Sequence, residues 1–168
     1  LEAFLSAYPR LTVLTGAGIS QAAGIPTYRD EAGTWRHNEP VTHREFLSDH
    51  TRRQRYWARS LRGWLAVDRA RPTAAHRALA DLQQRGHIDT VITQNVDRLH
   101  QLAGSGHVID LHGRLDRVKC LDCGTMHNRG EVQRWLERDN GVVQAGGSMR
   151  PDGDVELPSH LETQISVP

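Results

Sequence analysis

Three short apolar runs, each followed at once by a turn or polar motif, constrain the fold of this chain more than any other feature. The runs are residues 11–15, 90–93 and 107–111, and Val, Ile, Leu and Thr dominate them. Runs of this kind predict buried β-strands. Helical patterns lie between them, and strands that alternate with helices form parallel sheets covered on both faces. The sequence therefore predicts an α/β fold.

Periodicity and end signals predict the helices. The clearest covers residues 73–85, because Pro72 and Thr73 begin it and Gly86 supplies a left-handed end. A short helix is predicted after Gly18, and residues 28–40 are predicted to form a loop. The other predicted helices cover residues 45–67, 97–103 and 131–137.

The pattern changes after Gly113, which indicates a separate small module. Residues 117–119 and 125–127 predict short antiparallel strands around a pair of cysteines. Residues after Gly146 are rich in Gly, Pro and Asp and are predicted to be weakly structured.

Composition argues against several classes of function. The chain has 168 residues and a formal net charge of +1, so no charge excess favours nucleic acid or a charged membrane surface as a partner. No apolar run approaches the ~20 residues of a membrane span. Two cysteines do not make a secreted disulfide framework. We expect a cytoplasmic protein, or one of the mitochondrial matrix in a eukaryote.

A motif follows each of the three predicted strands. Gly16-Ala17-Gly18 follows the first, Gln94-Asn95-Val96-Asp97 the second and His112-Gly113 the third. The carboxyl ends of parallel strands share one edge of the sheet, which is where such folds bind ligands. We therefore expect the three motifs to form one ligand site.

The glycine turn favours a phosphate ligand. Gly16 and Gly18 lack side chains where a backbone must approach its ligand, and the amides that open a helix attract anions. Gln21 stands where a dinucleotide-binding G-x-G-x-x-G pattern has its third glycine, so that pattern is not matched. A tight turn without a ligand is the alternative.

The other two motifs carry polar groups suited to binding and proton transfer. Gln94, Asn95 and Asp97 supply the donors and acceptors that an amide-bearing ligand needs, although Asn95 or Asp97 could instead cap the following helix. Histidine, with an ordinary pKa of about 6.5, can take a proton near neutral pH, so His112 is a candidate base. A satisfied polar residue without a chemical role is the alternative for His112.

The cysteine pair predicts half of a zinc site. Cys120-x-x-Cys123 between short strands has the spacing of a zinc knuckle, but a structural site needs four ligands. His127 is near in sequence, and a fourth ligand is not evident. A redox-active dithiol is the alternative, although such a pair is expected to open a helix near a βαβ unit.

Together these motifs resemble the sirtuin family, the NAD-dependent protein deacylases. The segments 53–59, 117–124 and 151–155 are most similar to class II sirtuins, which include the mitochondrial sirtuin-4 type. The segments in family order and spacing are Gly16-Ala17-Gly18-Ile19-Ser20, Gly24-Ile25-Pro26-Thr27-Tyr28-Arg29, Thr93-Gln94-Asn95-Val96-Asp97-Arg98-Leu99-His100, Ala103-Gly104, Leu111-His112-Gly113 and Cys120-x-x-Cys123.

The resemblance implies a Rossmann-like parallel sheet, incomplete in this chain, with a small zinc-binding module inserted. Residues 1–112 would form the NAD-binding portion, including a helical insertion at about 40–70, and residues 113–168 part of the zinc module. Cys120 and Cys123 would be zinc ligands. The NAD contacts implied by the matching positions are Gly16, Ala17, Gly18, Ser20, Ile25, Pro26, Tyr28, Arg29, Arg36, Gln94, Asn95, Val96 and Asp97.

The resemblance also implies a reaction. The acyl oxygen of a modified lysine attacks the nicotinamide ribose and nicotinamide leaves, and His112 then activates a ribose hydroxyl that captures the acyl carbon. Asn95 and Asp97 would bind nicotinamide with Ile25 as an apolar wall, and Gln94 would contact its ribose. The substrates would be acyl-lysine proteins, with no direct nucleic-acid or membrane partner, and ADP-ribosyl transfer is a further implied activity.

Tyr56 and Arg59 are similar to a Tyr-x-x-Arg pair that binds acidic acyl groups in some sirtuins. Residues three apart share a helix face, and Arg binds a carboxylate with two hydrogen bonds. This predicts that dicarboxylic acyl-lysines outrank acetyl-lysine as substrates. The alternative is a solvated helix face beside Trp57.

Sirtuins continue past the point that matches Pro168, with a second Cys-x-x-Cys and further strands. We therefore expect this chain to be the N-terminal portion of a sirtuin. The sequence alone leaves a second hypothesis, a catalytically inactive fragment or an interaction module.

Overall fold

The computed structural model describes residues 2–28, 32–34, 41–141, 147–158 and 161–167. Its helices are α1 (Glu2–Ala7), α2 (His43–Ser48), α3 (His50–Arg69), α4 (Ala74–Gln84), α5 (Leu99–Leu102) and α6 (Arg129–Asn140), with a 3₁₀ helix at Ala17–Ala23. Its strands are β1 (Leu11–Thr15), β2 (Ile88–Thr93), β3 (Val108–Asp110), β4 (Arg117–Lys119) and β5 (Met126–Asn128).

The chain forms two compact units. Leu1–Pro26 and Ala70–Leu115 make the first unit, and Thr27–Arg69 and Asp116–Pro168 make the second. The predicted helical insertion at about 40–70 thus groups with the residues after 115. The boundary predicted between residues 112 and 113 stays a prediction.

The first unit contains a parallel sheet in the order β1-β2-β3, as the sequence predicted. Thr15 pairs with Thr93, and Thr93 pairs with Asp110. The carboxyl ends of the three strands therefore lie side by side at one edge. The fold is α/β, with polar residues concentrated where the strands end.

End signals that were legible in the sequence determine the helices of the first unit. Thr73 Oγ1 accepts the His76 amide and begins α4, and Gly86, with a φ of 80°, follows the end of that helix. Gly24, with a φ of 85°, ends the 3₁₀ helix. Both predicted helices are therefore confirmed. The helix predicted after Gly18 is a 3₁₀ helix, and the helix predicted at residues 73–85 is α4.

Helices α3 and α6 supply most of the core of the second unit. The buried apolar residues of this core are Trp57, Ala58, Leu61, Val132, Leu136, Val155, Leu157 and Ile165. The described residues after position 146 form no helix or strand, as predicted, but three of these core residues come from that segment, so it is packed against the rest of the unit. Met149 and Val155 also form an antiparallel bridge.

Gly63 of α3 lies directly against the backbone of that C-terminal segment. A Cβ atom placed on Gly63 would come within 2.0 Å of the Gly153 carbonyl oxygen. Backbone atoms cannot move aside as a flexible side chain can, so this packing requires glycine at position 63.

Three helices differ in extent from their predictions. The single helix predicted at 45–67 is two helices, since Asp49 Oδ1 accepts the amides of Thr51 at 2.8 Å and Arg52 at 3.2 Å and so begins α3 separately. Helix α5 is shorter than residues 97–103, because Arg98 takes a left-handed φ of 65°. Helix α6 is longer than residues 131–137, ending before Gly141.

Among the described residues, no helix has the length and apolar character needed to span a membrane.

Candidate functional site

Ser20, Asn95 and Asp97 form a connected polar cluster at the carboxyl edge of the sheet. Asn95 Nδ2 donates to the Gly16 carbonyl at 3.1 Å and to Ser20 Oγ at 3.0 Å. Ser20 Oγ donates in turn to Asp97 Oδ2 at 2.6 Å. The glycine turn after β1 and the polar motif after β2 therefore meet, as the parallel topology predicted.

Asp97 is a buried carboxylate with both oxygens engaged. Its Oδ1 accepts the Leu99 amide at 2.9 Å, which caps the start of α5, and only 8% of the residue is exposed. Asp97 thus binds the first amide of α5, as the capping alternative expected, although the N-cap position itself is Arg98 and its side chain makes no cap bond. The same carboxylate fixes Ser20, so capping and organisation of the cluster are combined in one side chain.

His112 is exposed, and among the described residues its side chain has one hydrogen bond, to a backbone carbonyl. Its Nδ1 lies 3.0 Å from the Gln94 carbonyl oxygen. A carbonyl oxygen only accepts, so Nδ1 carries the proton and the neutral ring has its lone pair on Nε2. The geometry therefore leaves Nε2 available to accept a proton from a ligand.

The other predicted cofactor residues are distributed unequally. Ile25 is buried, Pro26 half-buried and Gln94 exposed, and a Cβ placed on Gly18 would meet no atom within 4 Å. The Val96 carbonyl accepts the Leu115 amide at 3.0 Å, so the Val96 backbone binds the chain that follows His112.

The cofactor roles predicted for Tyr28, Arg29 and Arg36 stay predictions. Tyr28 belongs to the second unit, where burial and the nearby Asp152 carboxylate raise its pKa to about 12. Arg29 and Arg36 lie outside the described residues.

The cysteine pair lies on the turn between β4 and β5. The Cys120 amide donates to the Thr125 carbonyl at 2.9 Å, and the Gly124 amide donates to the Cys120 carbonyl at 3.1 Å. Hydrogen bonds with the side chain and backbone of Thr125 lower the pKa of the Cys123 thiol. Both cysteines are free, and the described residues hold no cluster of three or more metal-ligating side chains.

The structure does not place Tyr56 and Arg59 at an open acyl-binding site. The Tyr56 ring packs edge-on against Phe46 and Trp57, and burial raises its pKa to about 12. Arg59 is buried, and its Nε donates to Glu162 Oε1 at 2.6 Å. The alternative of a solvated helix face is equally unsupported, because both side chains are packed.

Four buried residues behind the cluster were missed in the sequence. Thr15 Oγ1 lies 2.9 Å from both Thr93 Oγ1 and His100 Nε2, and the rings of His76 and His100 meet edge to face with centroids 4.7 Å apart. Strand pairing of Thr15 with Thr93 was implied by the predicted parallel sheet. No role was predicted for either histidine, although His100 ends the segment of residues 93–100 that carries the family resemblance.

The fold is that of an α/β protein with a connected polar cluster at the carboxyl edge of a parallel sheet. The sequence profile of the Sir2 family matches residues 16–155, so the chain belongs to the Sir2 family. This confirms the resemblance to sirtuins.

Proteins with related sequences carry deacylase names. An NAD-dependent protein deacetylase of Xanthomonas campestris is 50% identical over 169 residues, which cover 100% of this chain and 58% of that protein. The NAD-dependent protein deacylase SIR4 of Monosiga brevicollis is 48% identical, covering 99% of this chain and 56% of that protein. The chain thus spans about three fifths of the length of these relatives.

Solved structures of the family share the fold. A Sir2–p53 peptide–NAD+ complex matches with a TM-score of 0.68 and 31% identity, over 95% of this chain and 66% of that chain. Sir2Tm bound to a propionylated peptide matches with a TM-score of 0.64 and 37% identity, over 81% of this chain and 54% of that chain.

Proposed function

We propose that this chain is the NAD-binding portion of an NAD-dependent protein lysine deacylase. The observation that carries the proposal is the cluster of Ser20, Asn95 and Asp97 beside an exposed His112, in a chain of the Sir2 family. The names of relatives at 48–50% identity support the same activity. Acyl-lysine proteins are the proposed substrates, since two structural neighbours are peptide complexes.

The polar cluster fits the amide end of NAD. Both N–H groups of Asn95 are used, by Gly16 and Ser20, so its Oδ1 is left as the acceptor for an amide of a ligand. Buried Ile25 supplies an apolar surface, and Gly16 and Gly18 present backbone to a phosphate. NAD would supply a ribose whose nicotinamide leaves and which then accepts the acyl group.

His112 is the proposed general base. The Gln94 carbonyl holds the proton on Nδ1, so Nε2 receives the proton of the hydroxyl that attacks the acyl carbon. A hydroxyl is far too weak an acid to lose that proton unaided near neutral pH. Anchoring by a backbone carbonyl keeps the neutral ring in the reactive tautomer until Nε2 accepts the proton, after which the Nδ1 proton of the cation still donates to that carbonyl.

Cys120 and Cys123 are the proposed zinc ligands. Their thiolates fit two of the four tetrahedral positions of a structural zinc, and the β4–β5 turn holds them close together. Two further ligands are proposed to come from outside the described residues. The metal would stabilise the fold of the second unit and take no part in the chemistry. A cytoplasmic location, or the mitochondrial matrix in a eukaryote, is also proposed.

The test is NAD turnover by the full-length protein with an acyl-lysine peptide. Nicotinamide release should require the acyl group and should match the loss of acyl mass from the peptide. Release without deacylation, with ADP-ribose on a protein instead, would assign ADP-ribosyl transfer. Absence of both products, in a protein that is folded and zinc-loaded, would contradict the proposal and favour an interaction module.

A further inference from the structure

A chain of buried hydroxyl and imidazole groups runs from the core of the first unit to the ligand cluster. His100 Nε2 lies 2.9 Å from Thr15 Oγ1, which donates to Thr93 Oγ1 at 2.9 Å. Thr93 Oγ1 also accepts the backbone amide of Asn95 at 3.1 Å. His100, Thr15 and Thr93 are all buried, so solvent does not compete for these bonds.

With the Thr15 hydroxyl as the donor to Thr93, the directions of the remaining hydrogen bonds follow from the number of protons. A threonine hydroxyl has one hydrogen, and that of Thr15 is directed to Thr93. The contact between Thr15 and His100 therefore has the imidazole as donor, which places the proton of the neutral ring on Nε2. In this arrangement the hydroxyl oxygen of Thr93 accepts two hydrogen bonds, one from Thr15 and one from Asn95.

The His76 ring packs against the His100 ring in the same buried region. Its Nδ1 accepts the Thr73 amide at 3.2 Å, so its own proton is on Nε2. Neither His76 Nε2 nor His100 Nδ1 has a hydrogen-bond partner among the described residues, and the two rings are in edge-to-face contact.

Asn95 is consequently held from two directions at the edge of the sheet. Its side chain is bound to Gly16 and Ser20, and its backbone amide is bound to Thr93. We propose that His100 is a positioning residue that holds the Asn95 backbone through Thr15 and Thr93, and so keeps the Asn95 amide in the orientation that binds the carboxamide of the cofactor. The role in binding rests on the proposed function, whereas the relay itself does not.

Matched substitutions in the full-length protein separate the relay from packing. Thr15→Val removes the hydroxyl and keeps the shape, and Thr15→Ser restores it. The amide nitrogen of Gln superposes on His Nε2 and that of Asn on His Nδ1, so His100→Gln keeps the donor that the relay needs and His100→Asn loses it. Three quantities are measured: the exchange rate of the Asn95 amide hydrogen, the dissociation constant for NAD, and the unfolding midpoint.

Thr15→Val and His100→Asn should each accelerate Asn95 exchange and weaken NAD binding by about tenfold, as expected for one lost hydrogen bond. Thr15→Ser and His100→Gln should stay within about threefold of the parent protein. The double variant Thr15→Val/His100→Asn should bind NAD no more weakly than the single variant with the lower NAD affinity. Both substitutions break the same chain of contacts, so their effects should not add. Ring ¹⁵N shifts should report the proton of His100 on Nε2.

Two results would overturn the proposal. One is equal loss of NAD affinity in His100→Gln and His100→Asn, which would indicate packing alone. The other is a lower unfolding midpoint in Thr15→Val with unchanged Asn95 exchange. If the parent protein does not bind NAD, the proposed function fails, and the exchange rates and ring shifts still decide whether the relay exists.

Discussion

Ser20 Oγ and Asp97 Oδ2 are joined by a hydrogen bond of 2.6 Å across a sequence separation of 77 residues. The bond connects the turn after β1 to the start of α5, and Asn95 donates to the same hydroxyl at 3.0 Å. A hydroxyl that accepts from an amide and donates to a carboxylate has no freedom to rotate. The cluster is therefore organised before any ligand enters it, which lowers the entropic cost of binding.

Ser20→Ala should disorganise this cluster. The change leaves Asp97 Oδ2 buried without its donor and removes one acceptor of Asn95, so we expect a loss of about 1–3 kcal/mol in the free energy of unfolding. NAD affinity should fall as well, measured by isothermal titration of the full-length protein. Gln21→Ala, on an exposed neighbour in the same 3₁₀ helix, is the control and should change neither quantity. Unchanged NAD affinity in Ser20→Ala would remove the cluster from the cofactor site.

His112→Ala should abolish deacylation without destabilising the protein. The side chain is exposed and, among the described residues, has one hydrogen bond, to the Gln94 carbonyl, so its loss removes the proton acceptor and little packing. The measurement is acyl-peptide turnover together with the unfolding midpoint. His87→Ala, at another histidine of the first unit, serves as the control. Retention of full activity in His112→Ala would exclude the role of general base.

Glu162→Gln should destabilise the second unit strongly. Glu162 is buried and binds Arg59 at 2.6 Å, and Arg55 Nε lies 2.7 Å from its other oxygen in an ion pair without hydrogen-bond geometry. Neutralising the carboxylate leaves buried Arg59 uncompensated, which costs about 3–5 kcal/mol. Urea unfolding measures the loss. Asp81→Asn breaks an exposed pair with Arg85 and should cost less than about 1 kcal/mol.

The pairing of Arg59 also bears on the acyl preference. Because Glu162 already occupies its guanidinium, glutaryl-lysine and acetyl-lysine peptides should be turned over at rates that do not favour the acidic acyl group. The ratio of kcat/KM for the two peptides measures this. A clear preference for glutaryl-lysine would show that Glu162 gives way to the substrate, and would restore the prediction made from Tyr56 and Arg59.

The isolated 168-residue chain should bind zinc at well below one ion per chain. Cys120 and Cys123 supply two thiolates, and no cluster of three ligating side chains exists in the described part of the chain. In the full-length protein, Cys120→Ser should lower the zinc content and Asp122→Asn should leave it unchanged, as measured by mass spectrometry of the metal. A tight 1:1 complex of the isolated chain would contradict the half-site.

Stability should fall as the pH falls below about 6.5, owing to the buried histidines. Burial and the neighbouring His76 lower the pKa of His100 to about 4, against the opposing charges of Asp97 and Asp110. Burial lowers the pKa of His76 too, with Arg77 acting in the same direction and Asp97 against it. The unfolded chain therefore binds protons that the folded chain does not, which costs up to about 1.4 kcal/mol per pH unit for each histidine.

Urea unfolding of the parent protein and of His100→Gln, at about pH 7.5 and about pH 5, measures this effect. The variant lacks one titrating group, so its stability should change less between the two conditions. An equal change in both proteins would show that other groups cause the pH dependence.

The sheet and its edge could be predicted because their signals are local. A β-branched run followed by glycine or amides indicates both a strand and the site at its end, and parallel pairing then brings Gly16 and Asn95 together. The same reasoning located His112. Local signals fail where distant residues decide the outcome, as with Arg59, whose partner Glu162 lies 103 residues away.

The sequence contained a signal for the break between α2 and α3, but the apolar spacing across it favoured one continuous helix. Apolar positions continue through residues 45–67 with helical spacing, which predicts one helix. Asp49 is a good cap, and its side chain accepts two amides of the next turn, so a new helix begins there.

Burial of His76 and His100 could not be predicted, since polar residues give no periodic apolar signal.

Because Gly63 has no side chain, the residues tolerated at position 63 depend on how the segment containing Gly153 packs. Glycine inside a helix costs about 1 kcal/mol relative to alanine, so α3 alone would favour alanine there. The carbonyl of Gly153, 2.0 Å from where a Cβ would lie, reverses that preference. In a library with every amino acid at position 63, we expect glycine to be the one residue tolerated. That result would show that the segment containing Gly153, some ninety residues further along the chain, packs against α3.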